Sequence, residues 1–404
     1  MERIESGTFA LFGEEASIAA SALFNSTASL THPFGPDQPA MCVLNHSNQL
    51  GLLLQEFLLL RDGWRVEIWA WDAVRRAFKC TKRASPGNLE AVEDLISVGL
   101  IDNESGSQDT ISSMSSTSSS QSVSPVIAAL IINSNDKNDT QVSISWCDLS
   151  SLRIGFLNFQ DNPLLTTLES ALIQLGVREL LIPQSNDTVN EKVKQIASAS
   201  QLVLQSLKPS EFFACEDSKG MEEDLARLIG EDRLRITEMS REITKSMRCL
   251  FVYLNLLGID TNIGAFKLIN HNLKDFARLD EAALTSLNIF SKKSSIDSAS
   301  FSLFGFLDHC KTAAGSRTLN QWLRQPLTNR ELIENRLDLV EMFVECPEGR
   351  HRLRENVLRG IPDITKLLKK LVRARSSLQV NLSIYDIFSL IMCLGNCTIV
   401  SICC

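Results

Sequence analysis

A basic surplus is the first thing this sequence lacks. Forty Lys and Arg stand against 48 Asp and Glu in 404 residues, a net charge of −8. The bulk field therefore repels phosphate, and any nucleic-acid contact has to come from local basic patches. Paired cysteines are missing as well. Eleven is an odd number, and the first seven (Cys42, Cys80, Cys147, Cys215, Cys249, Cys310, Cys346) are scattered with no Cys-x-x-Cys. They read as reduced, buried thiols of a cytosolic or nuclear protein. The five histidines, His32, His46, His271, His309 and His351, show no metal-ligand spacing. None of the nineteen glycines is followed by lysine, so a phosphate loop of the Gly-x-x-x-x-Gly-Lys-[Ser/Thr] type is absent from these residues. A two-metal nuclease would need clustered carboxylates. Asp148 and Asp161 are available, but no other acids back them at strand ends. The opening MERIESGTFALFGEE carries acids and no long apolar core, which is not the pattern of a secretory leader.

What is present is globular material for several domains. The sequence is 44% hydrophobic and 22% charged, and its length suggests two or three domains. Residues 1–96 read as a mixed α/β unit. A helix is expected from Ala16 to Phe24, a strand at Met41–Leu44, and a helix from Asn48 to Leu60 capped by Ser47 with a broad leucine face. The run Trp64–Trp71 alternates like a strand with Trp64, Val66 and Ile68 on one side, and Arg76–Arg83 follows as a second strand. Ala84-Ser-Pro-Gly-Asn88 makes a tight turn before a helical Leu89–Leu95. Residues 101–124 are Ser-dominated and read as a linker.

Strands are expected next at Pro125–Ile132, Gln141–Cys147 and Leu152–Phe159. A helix with Leu164, Leu165, Leu168, Leu172 and Leu175 on one face follows, ended by Gly176, and Arg178–Ile182 returns as a strand. That β-β-β-α-β order suggests a mixed sheet with helices on it, of ribonuclease-H-like type. A long helix is expected over Asp232–Leu257. From Asp275 the pattern is helical, broken at Gly315, Pro326, Pro347, Gly360 and Pro362.

The most informative segment is Thr312-Ala-Ala-Gly315-Ser-Arg317-Thr-Leu319-Asn-Gln-Trp322-Leu323-Arg-Gln-Pro326. Thr312 is expected to cap a helix, with Leu319, Trp322 and Leu323 on its buried face. Gly315 would admit a neighbouring helix, and Pro326 would end the segment. Leu279-Asp280-Glu-Ala-Ala-Leu-Thr-Ser-Leu287 precedes it. Arg336-Leu-Asp-Leu-Val340-Glu341 and Pro362-Asp363-Ile364 follow. These four blocks in this order resemble the core domain of the MutS family of DNA mismatch-repair proteins. The resemblance extends to Asn162–Gly176, similar to the family's connector, and to Glu5–Ala16, similar to its mismatch-binding domain. The Arg83–Leu89 turn resembles the second eukaryotic paralogue of the family in particular. About residues 3–379 are covered.

The resemblance implies a multidomain α/β plus all-α chain. Residues 1–100 would be the mixed α/β mismatch-binding domain and 101–124 a linker. Residues 125–275 would be the ribonuclease-H-like connector and 276–379 an incomplete helical core or lever. Residues 380–404, apolar and Cys-rich, would be a non-family tail with the character of translated intron. Sensing subunits of the family wedge a Phe from a Phe-x-Glu motif into the duplex. The matching positions here are Thr8 and Ala10, so a non-sensing role is implied, with Phe9, offset by one, as a core aromatic. The expected partners are double-stranded DNA with mispairs or small loops and a mismatch-sensing MutS paralogue. No small-molecule substrate is implied, a membrane is not expected, and residence is expected in the nucleus. ATP and Mg belong to the full-length family. The chain itself is expected to hold no cofactor and to be no enzyme. The alternative is a non-catalytic isoform or fragment that at most binds family partners.

Lys82 and Arg83 are the candidate DNA contacts. The nine Lys and Arg of residues 350–375 face only Glu355 and Asp363, and they read as a solvated face rather than a phosphate-facing stripe. The apolar faces of Leu337, Val340, Leu367, Leu368 and Leu371 are expected to lack partners, leaving residues beyond about 300 partly molten.

Overall fold

The computed structural model describes residues 8–24, 26–32, 40–44, 47–60, 64–72, 74–89, 91–92, 95–96, 126–134, 140–184, 188–213, 218–229, 239–258, 262–290, 302–361 and 363. The Ser-rich 101–124, the tail 380–404, Glu90, Glu93 and Asp94 of the expected Leu89–Leu95 helix, and Leu367, Leu368 and Leu371 lie outside the described residues. The chain divides into two compact units. One is Met1–Gln121 with Gln201–Val203, and the other is the remainder.

In the first unit, strand β1 (Phe9–Phe12) leads through Gly13, at φ 74°, into helix α1 (Glu14–Phe24). The Gly13 N–H donates to Ala40 O at 2.9 Å. Ala16, Ala19 and Ala20 are fully buried, and their small side chains at helical spacing let α1 lie close to the sheet. Strands β2 (Leu30–Thr31) and β3 (Met41–Leu44) complete a three-stranded antiparallel sheet in the order β1-β3-β2. Helix α2 (Ser47–Gln55) runs on as a π-turn over Glu56–Leu60 and buries Leu50, Leu53, Leu54, Phe57 and Leu58, the face expected from the sequence. Strands β4 (Val66–Asp72) and β5 (Ala77–Ala84) form a separate antiparallel hairpin. Its Val66, Ile68 and Ala84 pack on the core of α1, α2 and β3.

The second unit is built on a six-stranded mixed sheet. Its strands are β6 (Val126–Ser134), β7 (Thr140–Asp148), β8 (Arg153–Asp161), β9 (Val177–Pro183), β10 (Val203–Leu207) and β11 (Lys267–Asn270), in the order β10-β9-β6-β7-β8-β11. The first three are antiparallel neighbours, while β9 joins β6 in parallel and β11 joins β8 in parallel. Parallel pairing needs crossover connections. Helix α3 (Thr166–Leu175) carries the chain from β8 to β9, and α4 (Thr188–Ala199) carries it on to β10. Beyond lie α5 (Pro209–Phe212), α6 (Ser218–Ile229) and α7 (Arg241–Tyr253). Ile127, Ala129, Cys147, Ile154 and Phe156 face α7, whose Ile243, Met247, Leu250 and Phe251 are buried against them. The alternate positions Ala128, Leu130, Ile144 and Leu180 are buried too, so both faces of the sheet are covered.

Helix α7 corrects one expectation. Asp232–Glu238 of the helix expected over Asp232–Leu257 lie outside the described residues, and the described part is helical only over Arg241–Tyr253, because Ser240 has extended backbone (φ −68°, ψ 156°) and its hydroxyl accepts from Ile243 N. A capping hydroxyl outcompeted the apolar periodicity that ran past it. Asp148 and Asp161, weighed as metal-binding acids, close opposite ends of β7 and β8, where they pair with Arg153 and Thr140. Eight residue steps of strand separate them by about 26 Å. Each is occupied with backbone. Asp148 accepts from Ser150 N and Ser151 N. Asp161 accepts from Asn162 N, Thr167 N and Leu168 N at 2.8, 3.1 and 2.7 Å. Asp161 thus starts α3, whose nearest flanking residue, Leu165, offers no capping group. Asp161→Ala is expected to cost about 1–3 kcal/mol, since buried helix-start N–H groups lose their acceptor. Urea denaturation checks this, and Asp161→Asn should recover part of the loss.

After β11 the chain is helical, with α8 (Glu281–Ser286), α9 (Leu303–Leu307), α10 (Ala313–Arg324), α11 (Arg330–Glu345) and α12 (Pro347–Arg352). The residues assigned to the connector and to the helical core fall in one compact unit.

Candidate nucleic-acid interface and the connector seam

Lys82 and Arg83 lie on β5, immediately before the Ser85–Asn88 turn. That turn is closed by reciprocal bonds, Ser85 N to Asn88 O and Asn88 N to Ser85 O, both 3.0 Å. The hairpin register pairs Ile68 with Lys82 and Glu67 with Arg83. Directly opposed antiparallel residues share a face. Lys82 is therefore on the half-buried side with Ile68, and Arg83 is on the outward side. Arg83 Nε lies 3.2 Å from Glu67 Oε1. A hydrogen bond with Cys80, and then the Glu67 carboxylate, raise the Arg83 guanidinium above its ordinary value. The two basic neighbours are thus not equivalent. Thr8 and Ala10 flank Phe9, which pairs with Leu44 in β1 and packs against the core of the unit.

The signature residues of the core divide into caps, a seam and an ion pair. Asp280 accepts from Ala283 N at 2.6 Å and starts α8. Thr312 accepts from Gly315 N at 3.1 Å and starts α10, as its sequence predicts. Two expectations for α10 need correction. A Cβ on Gly315 would meet Thr312 Oγ1 at 3.0 Å and Cys310 Cβ at 3.4 Å. The glycine accommodates its own cap and the incoming chain, not a neighbouring helix. The buried stripe is also polar. Ser316 and Asn320 are buried, Leu319 is intermediate, and Trp322 is exposed. Ser316 Oγ donates to Asp308 Oδ2, and the Arg336 guanidinium lies 3.9 Å from the Trp322 ring centroid. That cation–π lid holds α11 to α10. Arg317 makes a two-pronged bond to Asp363, Nη1 to Oδ2 at 2.7 Å and Nη2 to Oδ1 at 2.9 Å. Glu341 is exposed on α11. Leu337 and Val340 are exposed as expected, and α11 buries none of its residues against the described chain.

Leu279 and Pro326 belong to a seam between α3 and the helical core. Ser170 Oγ donates to Leu279 O at 2.8 Å, Gln174 Nε2 to Ala277 O at 3.1 Å, and Gln325 Nε2 to Gln174 O at 2.7 Å. Ala277 N donates to Pro326 O at 2.8 Å, beside a bridge between Phe276 and Leu327. Ile173, Leu284 and Ile289 are buried together there, with Leu279, Phe290 and Leu323 around them. Arg324 lies over Phe290, 4.5 Å from its centroid, and its Nε donates to Asn320 Oδ1 at 2.9 Å. Burial first, and then Arg178, push the Arg324 guanidinium down to about 10, so it stays charged at neutral pH. The sequence pattern did not disclose the seam, because Ser170, Gln174 and Gln325 are ordinary polar residues until their partners are folded against them.

His271 precedes the seam and stacks on Phe276 with ring centroids 5.2 Å apart and planes within 7°. Burial lowers its pKa from the ordinary 6.5, and Asp275 opposes that shift. The unfolded state then binds more protons than the folded state just below pH 6.5. This contribution to stability is complete above that value and is lost as pH falls towards the folded pKa. His271→Phe keeps the stack and should flatten the pH dependence of urea stability between pH 7 and 5.

Comparison with known proteins fits this layout. A MutS domain II family model matches residues 125–267, and a MutS domain III model matches residues 282–398. The second match runs beyond Gln379, where the resemblance was expected to end. The DNA mismatch repair protein msh-2 of Neurospora crassa is 35% identical over 338 residues, covering 81% of this chain and 33% of its own length. MSH2 of Saccharomyces cerevisiae is 34% identical over 366 residues, covering 84% and 35%. MSH2 of Zea mays is 27% identical over 380 residues, covering 93% and 37%. The chain spans about a third of the length of these relatives.

Proposed function

The chain belongs to the MutS family of DNA mismatch-repair proteins, and from that premise we propose that it contributes to mismatch repair by holding double-stranded DNA with mispairs or small loops. In this reading it is the non-sensing half of a heterodimer whose other half is a mismatch-sensing MutS paralogue, and it resides in the nucleus. One observation carries the proposal. The matches to domains II and III follow each other along the chain, and a continuous polar and apolar seam joins α3 to the start of the helical core.

Topology supports the finer assignment for the sheet. Residues 125–275 serve as a ribonuclease-H-like connector. Three antiparallel strands followed by a parallel strand, reached through α3, is the arrangement that reading requires. Residues from 276 on, with the domain III match reaching residue 398, serve as the core or lever, and residues 1–100 as the mixed α/β mismatch-binding domain. The non-sensing role is supported by Thr8 and Ala10 at the positions matched to the wedge motif, and by Phe9 packing against the core. Outward-facing Arg83 is the first phosphate contact to examine, with Lys82 beside it.

Full-length family members use ATP and Mg. Among the described residues no group of His, Cys, Asp or Glu is arranged to hold a metal ion, and Asp148 and Asp161 are committed to backbone N–H groups. The part proposed for these domains is binding and mechanical coupling. Fluorescence anisotropy with a labelled homoduplex and a single-mispair duplex tests the reading. The chain alone should bind both equally, with affinity falling steeply as salt rises. Mispair preference should emerge only when a sensing paralogue is added. Absence of duplex binding at low salt, or mispair preference by the chain alone, would overturn it.

A further inference from the structure

The β4–β5 hairpin turns a face to solvent that packing does not explain. On β4, Glu67, Trp69 and Trp71 alternate outward while Val66 and Ile68 enter the core. Across the ladder, Trp69 opposes Cys80 and Trp71 opposes Phe78, so the three aromatic rings share that outward face. Trp69, Trp71 and Phe78 are 52, 53 and 64% exposed. Trp71 and Phe78 meet edge to face with centroids 5.2 Å apart. The irregularity between Ile68 and Trp69 leaves Thr81 as the extra residue of β5, and its hydroxyl donates to Ile68 O at 2.9 Å. Such a bulge re-aims the outer half of a hairpin.

The charge on this hairpin is opposite to that of the chain. Residues 64–84 hold Arg65, Arg75, Arg76, Lys79, Lys82 and Arg83 against Glu67 and Asp72, in a protein of net charge −8. Arg75 and Arg76 stand at the tip. There Asp72 Oδ1 accepts from Val74 N and Arg75 N, and Arg76 takes φ 47°, so the turn is fixed. Exposed aromatic faces flanked by cations suit a ligand with flat π surfaces on a polyanionic chain. A protein partner would satisfy the rings, but it gives no reason for the local positive charge.

We propose that the outward face of this hairpin binds unpaired nucleotides. Bases stack on Trp69 and on the Trp71–Phe78 pair, and the phosphates run along Arg75 and Arg76. Side chains two apart on a strand are about 6.8 Å apart, so neighbouring tryptophans can each take a base of an extended single strand. This inference deepens the DNA-binding reading above and rests on it, because it gives the chain a second surface, for single-stranded stretches of DNA, beside the one that holds duplex without sensing the mispair.

The full chain titrated with oligo(dT) and, separately, with fully paired duplex gives the test. Oligo(dT) should quench tryptophan fluorescence. Trp69→Ala and Phe78→Ala should each weaken oligo(dT) binding roughly 5- to 150-fold, the range for loss of one base-stacking contact. Trp69→Phe should restore most of the affinity, and duplex affinity should stay within about twofold. Arg75→Ala with Arg76→Ala should flatten the salt dependence of oligo(dT) binding by up to two phosphate contacts. All these side chains are exposed, and unchanged thermal melting confirms folding of each variant. Unchanged oligo(dT) affinity in both aromatic variants overturns the inference while leaving duplex binding, and the reading it rests on, standing. Loss of duplex binding by the unaltered chain sinks both. A concentration-dependent dimer in sedimentation velocity that Trp69→Ala abolishes would assign the face to a second copy instead.

Discussion

Gly155→Ala is expected to destabilise the six-stranded sheet by about 1–3 kcal/mol or more, the cost of forcing a methyl group into a filled core. Gly155 lies opposite Trp146 in the β7–β8 register, and the indole lies across it. A Cβ there would fall 2.4 Å from Trp146 Cε2 and Cζ2 and 2.6 Å from Nε1. Relief by movement of the ring is costly. Trp146 is buried, and its register partners Ala128 and Gly155 sit in strands β6 and β8, which are held on both sides by ladder bonds. Of the clashing atoms, Cζ2 belongs to the benzo ring that phenylalanine lacks, whereas Nε1 and Cε2 lie in the ring whose place a phenyl group largely takes. Trp146→Phe in the same chain should therefore recover part of the loss. The double variant should be more stable than the sum of the two single effects allows, with a coupling of order 1 kcal/mol. Urea unfolding of the four variants measures this. Simple additivity would mean that the sheet accommodates the methyl by moving backbone instead.

The same pair shows why some of the fold could be read from the sequence and some could not. The expected strands at 125–132, 141–147, 152–159 and 178–182 appear at Val126–Ser134, Thr140–Asp148, Arg153–Asp161 and Val177–Pro183. Central strands bury both faces, and their near-continuous apolar runs stand out. Gly176 ends α3 at φ 66°, its N–H bonded to Ile173 O, a stop that only a residue tolerant of left-handed backbone supplies cheaply. The edge strands Val203–Leu207 and Lys267–Asn270 were not anticipated. They are short, and their pairing is decided by neighbours distant in sequence. Phe9–Phe12 was missed for the same reason, since its partner Met41–Leu44 lies some thirty residues on.

In the candidate sites, local chemistry was legible and long-range chemistry was not. Thr312 was readable as a cap because its partner is three residues away. Trp322 was misplaced into the core because helical periodicity reports a face, not what covers it. Here the cover is a guanidinium from α11, with solvent beyond. The outward tryptophans of β4 carried a signal in their alternation with Val66 and Ile68, but only the register shows that Phe78 joins them.

Arg317 and Asp363 make the second large expected effect. Both were singled out by their place in separate blocks of sequence, yet nothing in either block shows that the two side chains meet. Arg317 sits near the start of α10, and its fork closes on a carboxylate 46 residues later, beyond α11 and α12. The side chains are only 21 and 12% exposed, so neither charge is well solvated if left alone. Deleting one partner of a fully buried pair costs about 3–5 kcal/mol. The residual exposure here argues for about 2–3 kcal/mol from Arg317→Ala or Asp363→Ala. The double variant should cost less than the two single variants summed, because the stranded charge is then gone. Arg317→Lys keeps the charge but loses the planar fork, and it should fall between wild type and alanine. The damage should also be regional. Helix α11 buries none of its residues, so the loop closed by this pair, together with the Arg336–Trp322 lid, holds α11 and α12 to α10. Limited proteolysis of either alanine variant should therefore cut first within residues 325–361, while hydrogen exchange in β6–β9 stays at its wild-type rate. Cleavage appearing equally throughout the sheet would mean that the ion pair supports the whole unit rather than closing its helical arm.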